Sequence, residues 1–124
     1  MVYLDYEINY RRCQRAERAY MELLTRKGEI VSSNVNYKAQ LEEENIEERL
    51  SVAKEIMSEC EIQLEETEQA LKNSCEIMDR IYYYKHLQGR KTEWIAQKVN
   101  YSAPYLYKLL QKMEKAISET ISKE

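Results

Sequence analysis

The sequence predicts an all-α protein: an N-terminal helical hairpin or coiled-coil arm over residues 1–74, then a tri-helical helix-turn-helix head over residues 75–124. Three observations carry this expectation. The chain has 2 Gly and 1 Pro in 124 residues, whereas the tight turns of sheet-rich and loop-rich folds draw heavily on both. A third of the residues are charged (33%), with Glu, Lys, Leu and Gln abundant, which is the composition of long helices. Apolar residues recur at spacings of three and four through the middle of the chain, the period of a helix face.

The first helix is expected from residue 2 to about 27. Tyr6, Tyr10, Cys13, Tyr20 and Leu24 fall on one stripe, interrupted by Glu17. Arg11, Arg12, Arg15 and Arg18 crowd one stretch and read as solvated side chains or ion pairs to an acidic neighbour. Gly28 is the expected helix stop. The polar connector that follows, with Ser32, Ser33, Asn34 and Asn36, supplies capping residues.

A longer helix follows. Its register runs Ile46, Leu50, Ala53, Met57, Cys60, Leu64, Thr67, Leu71, Ser74, Met78, Ile81, an unbroken alternation of four and three. That is a coiled-coil seam, and it makes Cys60 a core residue rather than a ligand or nucleophile. The seam needs either the first helix, folded back through the short connector, or a second chain. The outer surface is acidic, from Glu42 to Glu68. Asn73 with Glu76 has capping-box form, so residues 37–88 form either one helix or two, the second being Cys75 to Leu87.

Bulk comes from 11 Tyr and no Phe. A Tyr ring packs like Phe but needs its hydroxyl at water or at a partner, so most are expected half-buried at helix interfaces. Net charge is −3, but it is unevenly distributed. Residues 1–75 hold 10 Lys/Arg against 16 Asp/Glu, and residues 76–124 hold 9 against 6. Between Arg80 and Lys115, eight basic residues face only Glu93 and Glu114. A local basic surface is what phosphate binding needs, and the whole-chain average conceals it.

The segment from Arg90 to Leu110 assigns a physical task to each position of a helix-turn-helix. Ala96 is small where two helices cross. Ile95 and Val99 face the core. Asn100 sits where the backbone goes to positive φ, a conformation that Asn tolerates next best after Gly. Tyr101 packs inward, Ser102 caps the next helix, and Pro104 lies in its first turn, where a missing N–H costs little. Leu106, Leu109 and Leu110 anchor that helix. Ala103, Tyr105, Tyr107, Lys108, Gln111 and Lys112 are left on or near its outer face.

Ile81-Tyr82-Tyr83-Tyr84-Lys85-His86-Leu87-Gln88-Gly89, then Trp94-Ile95-Ala96 and Asn100-Tyr101-Ser102, resembles the fourth region of bacterial sigma factors. It is most similar to the short phage and prophage late transcription regulators of the ArpU and RinA type. The match covers about residues 77–115 and departs from the family pattern in having Asn100 where the turn Gly is usual. The resemblance implies a transcriptional regulator in a bacterial cytoplasm that binds double-stranded DNA. A sigma region two is not evident, so promoter melting is not expected.

On this reading the helix over Ser102–Lys115 enters the major groove. Tyr105, Tyr107, Lys108 and Gln111 are the candidates for base-edge or phosphate contact, with Ser102 and Ala103 at the start of the same helix also counted as DNA-binding, and Gln can pair bidentately with adenine. Arg90, Lys91, Lys98, Lys112 and Lys115 position the phosphate backbone. The acidic arm is expected to mediate homodimerisation or contact with host RNA polymerase.

No catalytic constellation is legible. His86 is the one imidazole, without the Cys or carboxylate company of a metal site, and it is read as a helix-end residue near the C-terminal dipole. Neither a phosphate-cradling Gly loop nor a nucleophile elbow occurs. An enzyme, a metal and a cofactor are therefore not expected. Cys13, Cys60 and Cys75 lie far apart and read as reduced cytoplasmic thiols. No stretch is apolar enough to span a membrane. Two other readings fit the same pattern. One is a phage small terminase-type DNA-binding subunit, although those place the DNA-binding unit first. The other is an interaction or inhibitor protein that uses the acidic Glu42–Glu68 helix.

Overall fold

The computed structural model describes residues 1–33 and 35–123. Its regular elements are all helical: α1 (Val2–Ser33), α2 (Tyr37–Glu43), α3 (Ile46–Lys72), α4 (Ile77–Tyr82) continued by a π-helical turn (Tyr83–Leu87), α5 (Thr92–Val99) and α6 (Ala103–Ser122). The all-α class is as the composition implied. Among the described residues no helix is long and apolar enough to cross a membrane.

Two compact units emerge, Met1–Asn9 with Glu65–Glu124, and Tyr10–Leu64. This grouping differs from a division at residue 74. The start of α1 and the end of α3 belong with the C-terminal helices because Tyr3 and Leu71 are buried in the same core as Ile81, Ile95 and Leu106.

In the Tyr10–Leu64 unit, α1 runs through Gly28 to Ser33, so Gly28 is not the helix stop. Ile30 is 1% exposed and packs with Ile46 and Leu50. Burying Ile30 is worth about 1.5–3 kcal/mol, more than the roughly 1 kcal/mol that a Gly costs inside a helix. Ser32 and Ser33 donate their hydroxyls to the Glu29 carbonyl, a local back-bonding typical of Ser in a helix. They extend the helix instead of capping the next one. Asn34 lies outside the described residues, and Asn36 precedes α2 without a side-chain cap bond. A short helix and a turn then intervene before the long helix. Asn45 takes φ 55, the left-handed conformation that Asn tolerates.

From Ile46 to Leu64, the seam residues Ile46, Leu50, Ala53, Met57, Cys60 and Leu64 are buried or half-buried, and every other residue of that stretch is exposed. The partner is α1, running antiparallel. Ile30 packs with Ile46, and Cys13 lies beside Cys60, close enough for that thiol to act on its pKa. The α1 stripe is Cys13, Ala16, Tyr20, Leu23, Lys27 and Ile30. Tyr10 and Leu24, expected in it, stand 43% and 37% exposed at its edge. Burial, then the neighbouring Cys60 thiol and the carboxylates of Glu17 and Glu61, raise the Cys13 pKa, which keeps the thiol protonated and unreactive. Arg26 makes a two-pronged pair with Glu44, and Lys27 meets Glu47 at 2.6 Å. These pairs are solvent-facing, so salt screens them and apolar packing carries the hairpin.

In the other unit the seam continues through Thr67, whose hydroxyl accepts from Asn9 Nδ2 at 2.6 Å, to the buried Leu71. The helix then breaks, which makes the stretch before Gly89 more than one helix. Asn73 does not cap α4: Glu76 holds the N-cap position without a side-chain cap bond, and Ser74 forms the turn that leads into it. Ser74 Oγ accepts from the Glu76 amide at 3.2 Å and donates to Asp79 Oδ2 at 2.7 Å. Asp79 is fully buried, and its Oδ1 accepts the Tyr3 amide at 2.9 Å. Tyr3 lies in the first turn of α1, so a buried carboxylate from another element satisfies one of that helix's orphan donors. Burial and the Asp79 charge both raise the Tyr3 pKa.

The aromatic run loosens into the π turn, closed by the Gln88 amide donating to the Tyr83 carbonyl at 3.1 Å. Three consecutive Tyr point to three sides of the helix here, and none is solvent-exposed: Tyr82 and Tyr84 are buried and Tyr83 is half-buried. Tyr82 donates its hydroxyl to Glu7 and stacks on His86 at 4.4 Å. Desolvation lowers the His86 pKa against the opposing pull of Glu7, and Lys85 lowers it further. His86 thus stays at the helix end, exposed as a whole residue but with its ring on Tyr82 and its neutral form favoured.

The tyrosines divide more widely than the half-buried expectation. Tyr3, Tyr82 and Tyr84 are core residues, while Tyr105 and Tyr107 are 49% and 51% exposed on α6.

Candidate nucleic-acid interface

The turn between α5 and α6 follows from its residues. Asn100 has φ 60 and ψ 39. The Tyr101 amide donates to the Ala96 carbonyl at 2.9 Å, and the Asn100 amide to that of Gln97 at 3.4 Å. This is a Schellman closure with Asn in the left-handed position. Ser102 follows in extended conformation, and its hydroxyl accepts the Tyr105 amide at 3.4 Å, with Pro104 in the first turn. A helix stop and a helix start are thus separated by three residues. The two helices pack through Ile95 (0% exposed), Ala96 (6%), Leu106 (0%) and Leu110 (9%). Val99 and Leu109 close the same core half-buried, and Met113, not anticipated from the sequence, completes it.

The burial pattern of α6 fixes what faces outward. Leu106, Leu110, Met113 and Ile117 line the inner stripe. By the helical period, Pro104, Lys108, Gln111 and Lys115 lie opposite it, and all four are exposed. Lys112 and Tyr105 lie along one flank, with the Tyr105 ring edge-on to Tyr101 at 5.1 Å. Tyr107 lies along the other flank, where the helical period also puts Glu114. Ala103 is half-buried and sits three residues before Leu106, on the inner side. It is better described as packing than as outer face. Ser102 is committed to the cap, though still exposed.

The remaining basic candidates flank α5. Lys98 is exposed in its last turn, and Lys91 precedes it in extended conformation without a side-chain cap bond. Gly89, with φ 63, turns the chain out of the π turn. The Arg90 guanidinium then folds over the Trp94 ring at 4.4 Å, and Trp94 meets the Tyr84 ring edge-on at 5.3 Å. Sequence reasoning missed this stack, because Arg90 lies outside α5 and no helical spacing links it to Trp94. Arg80, counted in the basic field, donates to the Tyr84 hydroxyl at 2.9 Å.

Chemically, the surface offers exposed cations, one amide able to read a base edge, and two exposed phenols on a rigid capped helix. Compared with protein-family models, curated proteins and solved structures, the chain has no significant match.

Proposed function

We propose that this chain is a sequence-specific DNA-binding transcriptional regulator of phage or prophage origin, similar to sigma region four, with α6 as the recognition helix in the major groove. One observation carries the reading: the α5–α6 pair, closed by left-handed Asn100 and capped by Ser102, presents Lys108, Gln111 and Lys115 on the side opposite its buried stripe. A helix held this way is rigid, cationic and narrow enough to enter a groove. Gln111 and Tyr107 are assigned to base edges. Lys112, Lys115, Lys98, Lys91 and Arg90 are assigned to phosphates, which set affinity and register.

The protein partner, RNA polymerase or a second copy, is assigned to the hairpin. Because α1 fills the 4-3 seam, α3 offers its acidic outer face, Glu55, Glu59 and Glu66 among it, instead of an apolar seam. Binding of genomic fragments to the purified full chain, followed by footprinting of the enriched sequences, tests the reading. A discrete protected site supports it. Uniform weak retention of all fragments removes sequence specificity, and no retention at low salt removes DNA binding.

A further inference from the structure

Arg90 is tied to the core twice. Its backbone amide donates to the Tyr84 carbonyl at 2.9 Å. Its guanidinium lies over Trp94 at 4.4 Å, and Trp94 is braced edge-on by Tyr84, which is 9% exposed. Gly89, at φ 63, makes the sharp exit that brings the two together. A third contact, Arg90 Nε to Gln88 Oε1 at 3.5 Å, is at the limit of hydrogen bonding and adds little. Trp94 is 36% exposed, so its ring lies at the surface with the Arg90 guanidinium on one face. Here that face is the platform for a cation at the start of α5. A guanidinium stacked on an aromatic ring keeps its edge donors available, and that edge is what grips a phosphate.

We propose that Trp94 is a positioning residue that holds Arg90 ready for a DNA phosphate at the N-terminal end of α5. The inference rests on the DNA-binding reading above and adds a specific division of labour to it. Arg90 supplies the charge, Trp94 supplies the pose, and Tyr84 relays that pose from the core. The stack costs Arg90 its rotamer freedom before DNA arrives, so less is lost on binding.

The test uses the full chain and a random-sequence DNA duplex, since a phosphate contact is independent of sequence. Arg90→Ala should weaken binding and flatten the slope of log K against log salt by about 0.9. Trp94→Leu should weaken binding by about 2- to 5-fold, the range of an exposed cation–π contact. It should leave the slope unchanged, because the charge is still present. Trp94→Phe should restore most of the loss. In the Arg90→Ala background, Trp94→Leu should cost nothing more.

Trp94 is the sole Trp, so its fluorescence reports the stack directly. Saturating duplex should change its emission in the native chain and leave it unchanged in Arg90→Ala. A Trp94→Leu loss of equal size with and without Arg90 overturns the proposal, because it marks a role in the fold alone. If Trp94→Leu does not fold, Trp94→Phe and the emission of the native protein decide. An emission unmoved by saturating duplex overturns it too. Native protein that binds no duplex at low salt fails the DNA reading itself, whereas normal binding with an additive cycle fails this proposal alone.

Discussion

Removing the Asp79 carboxylate tests how the two ends of the chain are joined in one unit. Asp79 is 0% exposed and accepts from the Tyr3 amide at 2.9 Å and the Ser74 hydroxyl at 2.7 Å. Hydrogen bonds to a charged group are worth about 1.5–3 kcal/mol each. Asp79→Ala loses both and strands the Tyr3 amide, at a further cost of about 1–3 kcal/mol. Against this, the variant no longer desolvates a carboxylate, which returns several kcal/mol. The net expectation is a loss of about 3 kcal/mol, a large share of the ~5–15 kcal/mol that a domain typically holds.

Asp79→Asn keeps an oxygen for the Tyr3 amide but exchanges charge-assisted bonds for neutral ones, so it should lose about 1–2 kcal/mol. Urea denaturation with unchanged m-values measures both, and hydrogen exchange at the Tyr3 amide should accelerate in Asp79→Ala. A loss below about 1 kcal/mol for Asp79→Ala, well under the net expectation once desolvation is included, would refute this account of the buried carboxylate.

Three further outcomes are expected. Asn100→Gly should be neutral or stabilising and Asn100→Val should cost about 1 kcal/mol or more in thermal melts, because a β-branched residue tolerates φ 60 poorly. Ala96→Leu should cost about 1–3 kcal/mol by overpacking the α5–α6 crossing, and a full-stability variant would place the crossing elsewhere. His86 has its pKa lowered below the ordinary 6.5 by desolvation. The unfolded chain therefore binds the proton first, and stability should be whole above pH 6.5 and fall as pH drops toward the folded pKa. His86→Gln should lose that part of the pH dependence, and an unchanged stability-against-pH profile counts against the stacked neutral ring.

What the sequence revealed was whatever depends on short-range chemistry. The 4-3 seam was readable because burial repeats with the helix. Asn100, Ser102 and Pro104 were readable because each has a backbone preference that only one position in a turn satisfies. Gly28 misled because its local cost is smaller than the burial of Ile30, a tertiary term that residue type does not announce. The partner of the seam was undetermined, since a second chain and α1 present the same apolar face. Asp79, between Met78 and Arg80, carries no sequence signal of its burial, and its importance comes from Tyr3, far away in the sequence. Arg90 was legible as a cation but not as a stacked one, because the Gly89 turn that folds it onto Trp94 is geometry rather than pattern.

The central claim is that α6 meets DNA through its outward face, and the most direct measurement is the salt dependence of duplex binding by Lys108→Ala/Lys112→Ala. Both residues are exposed on α6, so the double variant should fold with an unchanged melting temperature. It should bind every duplex more weakly, with the log K against log salt slope flatter by about 0.9 for each phosphate that is no longer neutralised. Gln111→Ala, measured beside it, should keep the slope and lose about 1–3 kcal/mol on the footprinted site and much less on random duplex. A folded double variant with native affinity and native slope on every duplex would contradict the claim, and would move the working surface to the acidic face between Glu42 and Glu68.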